Sequence, residues 1–143
     1  SRQRLESCLT SAKALGLEIP ADWCLTGGFS EEGGYNAIQA LLRRGGRPTV
    51  IVAFNDLMAL GAIRACREAG FQVPADVSVT GFDDIELAEP FQLTTVRVPM
   101  FELGRLAGET AVTHLTGTTE AVNHTVTPEL IIRGTCAPAG AHP

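Results

Sequence analysis

The sequence predicts an α/β fold, an open parallel sheet with helices on both faces. Short apolar runs rich in β-branched residues alternate with longer segments whose apolar residues recur every three or four positions. One unit is complete, because the chain from Pro48 to Asp84 reads as a strand, a helix and a second strand. A connection of this length makes the two strands parallel and the crossover right-handed.

The first predicted element is a helix over residues 2 to 15, which Gly16 ends. No strand precedes it, which suggests a sequence cut from a longer protein, although domains can also begin on a helix. Trp23 to Thr26 is a predicted short strand, and Ser30 then caps a helix that ends at Gly45. Each helix has an apolar face: Leu5, Cys8, Leu9, Ala12 and Leu15 on the first, and Tyr35, Ile38, Leu41 and Leu42 on the second.

The central unit opens with a predicted strand from Thr49 to Phe54, whose apolar residues are typical of a strand buried on both faces. Asn55 and Asp56 end this strand, and either residue can cap the next helix, which ends at Gly70. The apolar face of that helix consists of Leu57, Leu60, Ile63 and Cys66.

A turn at Pro74 and Asp76 leads to the second strand, Val77 to Thr80, which runs into Gly81, Phe82 and Asp83. The carboxyl ends of parallel strands meet at one edge of the sheet, so we expect Asn55 and Asp83 to lie together where open α/β sheets bind ligands. An amide and a carboxylate suit the adjacent hydroxyls of a sugar or the ring nitrogens of a base.

The rest of the chain predicts a strand from Leu93 to Val96, an amphipathic helix from Met100 to Leu115 that ends at Gly117, and a last strand from Leu130 to Arg133. The net charge is −5, and Lys and Arg do not cluster, which argues against nucleic-acid binding by this segment itself. No long apolar run or signal peptide is visible, so we expect a cytoplasmic protein. Cysteines 8, 24, 66 and 136 lack paired spacing and are expected to be reduced, packed thiols.

The best enzymatic interpretation is that Asp56, Asp83 and Asp84 hold Mg²⁺ for phosphoryl transfer. Against it, Asp56 is a natural helix cap, and no phosphate-binding glycine loop followed by Lys occurs. His114, His124 and His142 are scattered and show no zinc-site spacing. The sequence therefore predicts no enzyme, metal site or cofactor.

Ordered motifs then narrow the prediction. N-D-x-M-A-x-G begins at Asn55, V-P-x-D-V-S-V-x-G-F-D-D at Val73, and L-T-T-V at Leu93. Together they closely resemble the effector-binding domain of the LacI/GalR family of bacterial transcription regulators, and a weaker likeness extends over nearly all 143 residues.

This resemblance implies a periplasmic-binding-protein-like fold, in which two lobes are joined by three crossing strands. The chain corresponds to one lobe plus part of the second. Residues 1–92 would form the carboxyl-side lobe, 93–117 would cross to the other lobe and 123–135 would return. We expect the helix from Met100 to Leu115 to pack against its own lobe or against a second copy of the chain, because its apolar face must be buried.

By the same resemblance, Arg4 and Phe29 join Asn55 and Asp83 as ligand-binding residues, while Asp56 keeps the capping role. Each has a plainer alternative: Asn55 is a helix cap, Asp83 part of an Asx-turn, Arg4 solvated near the chain end and Phe29 core packing. Two positions depart from the family pattern. Val98 stands where many members have a polar ligand contact, and Cys8 replaces a frequent aromatic.

The implied function is a cytoplasmic ligand sensor without a DNA-binding domain of its own. A sugar, sugar phosphate or nucleobase would bind between the lobes and control DNA binding by a homodimer through an amino-terminal helix-turn-helix outside this sequence. Leu60, Arg64 and Arg67, with the Leu87 to Gln92 loop, would contact the partner subunit. The alternative is a periplasmic sugar-binding protein of a transporter, which shares the fold.

Overall fold

The computed structural model describes residues 2–117 and 123–138, and its helices confirm the predicted order. Helix bounds agree with the sequence prediction to within about two residues, the usual scatter of helix ends. The elements are α1 (Arg2–Ala14), a 3₁₀ turn (Ala21–Trp23), α2 (Glu31–Arg43), β1 (Val50–Val52), α3 (Asp56–Glu68), β2 (Ser78–Thr80), β3 (Thr95–Arg97), α4 (Met100–Leu115) and β4 (Glu129–Ile131).

The strands form two small two-stranded ladders, which isolated bridges join near the end of β2 and the start of β3. β1 pairs with β2 in parallel, as the crossover predicts, and β3 pairs with β4 in antiparallel fashion. Isolated parallel bridges join Thr80 to Thr94 and Asp83 to Arg97, so the segment that enters β3 lies beside the end of β2. The carboxyl end of β2 therefore adjoins β3, which pairs with β4.

Two strand predictions are wrong. Residues Trp23 to Thr26 form the end of a 3₁₀ turn and irregular chain, and β1 is not buried on both faces, since Val50 is 53% and Val52 51% exposed. The first error arises because a strand forms only where a neighbouring strand pairs with it. The second concerns one face of β1, since Val50 and Val52 are two residues apart and point to the same side. Within the described residues, β1 is paired along one edge only, with β2.

The core is organised around α3, which packs against β1 and β2 on one side and against α2 on the other. Small residues of α3, including Ala59, Ala62 and Ala65, are fully or almost fully buried and let the helices approach closely. Burial raises the pKa of the Cys66 thiol to about 11, and all four cysteines are free. The core consists of Ile38, Ala53, Ala59, Leu60, Ala62, Ile63, Ala65, Cys66, Val77, Val79, Ala88 and Leu93.

Helix α4 stands apart from this core. None of its residues is buried, and Phe101 and Leu115 are each 87% exposed. The expectation that α4 packs on its own lobe is wrong, because β3 carries the chain away from the α2–α3 layer; packing on a second copy stays a prediction. No helix in the described part of the chain has the length and apolar content needed to cross a membrane.

Gly61 is expected to be essential for the contact between α2 and α3. A Cβ added to Gly61 would press on the carbonyl oxygen of Glu31 and lie 2.7 Å from the amide nitrogen of Tyr35. Because both obstacles are backbone atoms, Gly61→Ala should lower the free energy of unfolding in urea by about 1–3 kcal/mol. Gly104→Ala is the matched control, since its Cβ meets nothing within 4 Å on α4. Equal stabilities of the two variants would contradict this account.

Candidate functional site

Arg4 is anchored at the carboxyl end of β1. Its Nη1 donates to the carbonyl oxygen of Phe54 at 2.6 Å, and its guanidinium lies 4.2 Å from the centre of the Phe82 ring. A cation over an aromatic face is favourable, and more so when partly desolvated. The alternative of a solvated arginine near the chain end is therefore wrong, and α1 presents Arg4 at the predicted sheet edge.

Asn55 is the residue that caps α3. Its Oδ1 accepts from the backbone N–H of Met58 at 2.9 Å, and its Nδ2 donates to the carbonyl oxygen of Phe29 at 2.9 Å. The expectation that Asp56 takes the cap is wrong, since Asp56 follows the cap as the first helical residue. A side-chain amide has a second N–H and a second lone pair. Capping therefore leaves Asn55 able to contact a ligand.

Phe29 is held at the same edge by its bond to Asn55. Its backbone φ is 59°, a left-handed conformation, and the residue is 51% exposed. The core-packing alternative is therefore wrong for Phe29. An exposed aromatic face just before α2 is available to stack on a flat ligand.

Asp83 lies beside β3. Its N–H donates to the carbonyl oxygen of Val96 at 2.9 Å, and its φ is 114°, which residues other than glycine rarely adopt. Partial burial, followed by the nearby carboxylate of Asp56, raises the pKa of Asp83, and the positive charge of Arg4 acts in the opposite direction. Arg4 lies over the ring of Phe82, the residue before Asp83, so both residues belong to the same edge of the sheet.

Asp84 faces away from that site, into a pair of arginines. Its Oδ2 accepts from Nε of Arg97 at 2.7 Å, and its Oδ1 lies 2.8 Å from Nη2 of Arg133. Burial disfavours the charged carboxylate, but the hydrogen bonds and positive charges of Arg97 and Arg133 outweigh it and lower the pKa of Asp84. Asp84 thus joins β3 to the chain just after β4.

Asp56 is fully buried and connects three segments. Its Oδ1 accepts from the hydroxyl of Thr95 at 2.5 Å, and its Oδ2 accepts from the N–H of Ile85 at 2.8 Å. The partners of Asp56 and Asp84 are thus hydroxyl, amide and guanidinium groups, so both carboxylates are already paired within the chain. No group of three Asp, Glu, His or Cys side chains within residues 2–117 and 123–138 could hold a metal ion.

Two cavities in the described part of the chain lie away from the four predicted ligand residues. One, of about 510 Å³, runs along α4 and is lined by Leu103, Leu106 and His114 among others. Another, of about 460 Å³, lies near the amino end of β1 and includes Arg47, Phe71 and Asp76. Neither touches Arg4, Phe29, Asn55 or Asp83.

The predicted partner surface on α3 needs one correction. Leu60 is only 8% exposed and packs in the core, so it cannot face a partner subunit. Arg64 is on the surface but already engaged, since its Nη1 lies 2.8 Å from Oε1 of Glu31 and its guanidinium 4.3 Å from the Tyr35 ring centre. Arg67 is exposed on the same helix.

Comparisons with known proteins agree with this geometry. Residues 1–136 match the periplasmic binding protein-like domain family. The chain is 39% identical over 137 residues to the ribose operon repressor of Escherichia coli strain K12, which covers 94% of this chain and 42% of the repressor. It therefore spans about two fifths of that relative's length.

Solved structures show the same likeness. A sugar-binding transcriptional regulator of the LacI family from Escherichia coli, complexed with phosphate, has a TM-score of 0.84 and 32% identity over 96% of this chain and 51% of its own. A complex of the transcriptional regulator CelR with cellobiose has a TM-score of 0.85 and 33% identity over 92% of this chain and 41% of its own.

Asp83 and Asp84 are expected to affect stability with opposite signs. The lowered pKa of Asp84 means that its ionised form stabilises the fold, so Asp84→Asn should lower the free energy of unfolding at about pH 7. The raised pKa of Asp83 means that its ionised form opposes folding, so Asp83→Asn should raise that free energy.

The Asp83→Asn difference should shrink as the pH falls toward 3.8, the ordinary pKa of these carboxyls, because the raised pKa of Asp83 lets it protonate above that pH. The Asp84→Asn difference should persist down to 3.8 and shrink only below it, because the pKa of Asp84 is lowered. Urea unfolding between about pH 3 and about pH 7 measures them. Effects of the same sign for the two neighbours would contradict the assignment of their environments.

Proposed function

Because the chain belongs to the periplasmic binding protein-like domain family, in the form found in the effector-binding domains of LacI-family regulators, we propose that it senses a small effector at the carboxyl edge of β1 and β2. One observation carries this proposal. Arg4, on α1, bonds the carbonyl oxygen of Phe54 just after β1 and lies 4.2 Å from the centre of the Phe82 ring, next to Asp83 after β2. Beside them, Asn55 bonds the carbonyl oxygen of Phe29, whose side chain is exposed.

The chemistry of these residues favours a sugar. Asp83 accepts hydrogen bonds from hydroxyls, the planar fork of Arg4 donates to two oxygens at once, and Phe29 can cover an apolar ring face. Burying the effector's hydroxyls against such groups gives orientation and specificity. The names of the relatives support the same class, since one is a ribose operon repressor and one neighbour is a complex with cellobiose.

A sugar phosphate or a nucleobase is the other candidate class. Arg4 is suited to a phosphate as well as to hydroxyl oxygens, and the flat face of Phe29 is suited to a base. One neighbouring regulator is described as complexed with phosphate. The first experiment therefore includes both classes.

In a longer protein, effector binding would control transcription. The relative is a repressor and the neighbours are transcription regulators, which favours a regulator over a transport protein of the same fold. This segment carries a net charge of −5, so DNA contacts would come from an amino-terminal helix-turn-helix in a cytoplasmic homodimer. The effector would act by changing the relative orientation of the two lobes.

Asp83→Ala should abolish effector binding. A thermal-shift screen of pentoses, hexoses, their phosphates and purines on the full-length protein identifies the effector, because a ligand at about 100 times its Kd stabilises the folded state by about 2.7 kcal/mol. The shift should disappear in Asp83→Ala and persist in Glu86→Ala, which removes an exposed carboxylate from the same loop. A shift that survives Asp83→Ala would place the effector elsewhere.

We also propose that the loop from Leu87 to Gln92, with Arg64 and Arg67, contacts a second subunit. Leu87 is 47% and Phe91 46% exposed, an unusual exposure for side chains of this size. Buried aromatic side chains dominate interface energies, so Phe91→Glu should weaken the dimer by about 2 kcal/mol or more, roughly thirtyfold in Kd. Sedimentation equilibrium of the full-length protein measures this change. Leu17→Glu, at a position 60% exposed after α1, is the matched control, and an unchanged Kd for Phe91→Glu would exclude this surface.

A further inference from the structure

The turn that carries Asp83 is held in an unusual backbone conformation. Asp83 and Asp84 are consecutive residues with positive φ, 114° and 57°. Such conformations persist in residues other than glycine only where the surroundings impose them. The contacts at each end of the turn show what imposes this one.

The turn is fixed at both its start and its end. At the start, the N–H of Asp83 donates to the carbonyl oxygen of Val96, next to Arg97 on β3. At the end, the N–H of Ile85 donates to the buried carboxylate of Asp56 at 2.8 Å. These two hydrogen bonds hold the backbone on either side of the two aspartates.

Asp84 connects this turn to both crossing strands at once. Its side chain is only 8% exposed, and it pairs with Arg97 of β3 and with Arg133, two residues beyond the end of β4. Arg133 in turn donates from Nη1 to the carbonyl oxygen of Leu93 at 2.8 Å and from its N–H to the hydroxyl of Thr94 at 2.9 Å. One carboxylate therefore ties together the turn and the two strands that leave the lobe.

We propose that Asp84 is a positioning residue that couples Asp83 to β3 and β4, so that a displacement of Asp83 is transmitted to both crossing strands. The inference rests on the proposed function, in which Asp83 contacts the effector. In this proposal, Asp83 and Asp84 have different roles. Asp83 contacts the ligand, and Asp84 passes its position to the strands that join the lobes.

Amide hydrogen exchange in the 143-residue chain, followed by NMR, tests the coupling without any effector. Asp84→Asn keeps the shape of the side chain and removes its charge. It should speed exchange at the Asp83 amide and in the β3–β4 ladder by about tenfold. Glu129→Gln is the matched control, since it removes only an exposed contact of 3.5 Å with the same Arg97.

The decisive experiment changes Arg133, the partner of Asp84 just after β4. Arg133→Gln should speed exchange at the Asp83 amide, and most of this effect should disappear in a background that already carries Asp84→Asn, because the ion pair between the two residues is lost in both variants and only the bond of Arg133 to the Leu93 carbonyl is lost separately. A role of Asp84 limited to strand stability predicts additive effects instead. Additive effects, or an Asp83 amide that Arg133→Gln leaves unchanged, would overturn the proposal.

Folding of each variant is checked at the amides of Ala59 and Ile63, in the buried part of α3. If Arg133→Gln fails that check, Arg97→Gln replaces it, since Arg97 is 48% exposed and its loss should be milder. The outcome is separate from that of the effector screen. Loss of coupling with an intact Asp83-dependent thermal shift rejects only this inference, and the reverse result rejects only the proposed ligand site.

Discussion

The geometry of the candidate site depends on the buried carboxylate of Asp56. A charge with no exposed surface is tolerated only where hydrogen bonds satisfy it, and here the hydroxyl of Thr95 and the amide of Ile85 do so. Gly81 is required beside it, because a Cβ there would meet Oδ1 of Asp56. The start of α3, the turn after β2 and the first residue of β3 are thereby held at fixed positions relative to one another.

The site residues are positioned through the main chain of neighbouring loops. Arg4 bonds the carbonyl of Phe54, and Asn55 bonds the carbonyl of Phe29. Each bond connects a segment that is distant in sequence to the same carboxyl edge, so the site is assembled by backbone groups whose places the fold already determines. Side chains locked in this way lose little freedom when a ligand binds, which favours affinity.

The helices and the central crossover could be predicted from sequence, because apolar periodicity, the Ser30 cap and glycine stops are local features. The strand from Trp23 to Thr26 could not, because a strand needs a partner that no local pattern reveals. Leu60 was misplaced because helical spacing alone does not say which side faces α2 and the sheet. The roles of Asp56 and Asp84 were missed because a residue that bonds groups 13 to 49 positions away looks like a cap or a turn in the sequence.

The choice of aspartate at positions 83 and 84 is best explained by the carboxylates themselves. Backbone energetics at both positions favour glycine, and a left-handed residue with a side chain costs about 1–3 kcal/mol. At Asp84, the ion pairs with Arg97 and Arg133 offset that cost. At Asp83, burial and the charge of Asp56 disfavour the ionised form, Arg4 opposes them only in part, and the backbone is held by the hydrogen bond from its N–H to the carbonyl oxygen of Val96. A group that is unfavourable both in backbone conformation and in charge is a candidate for a binding site.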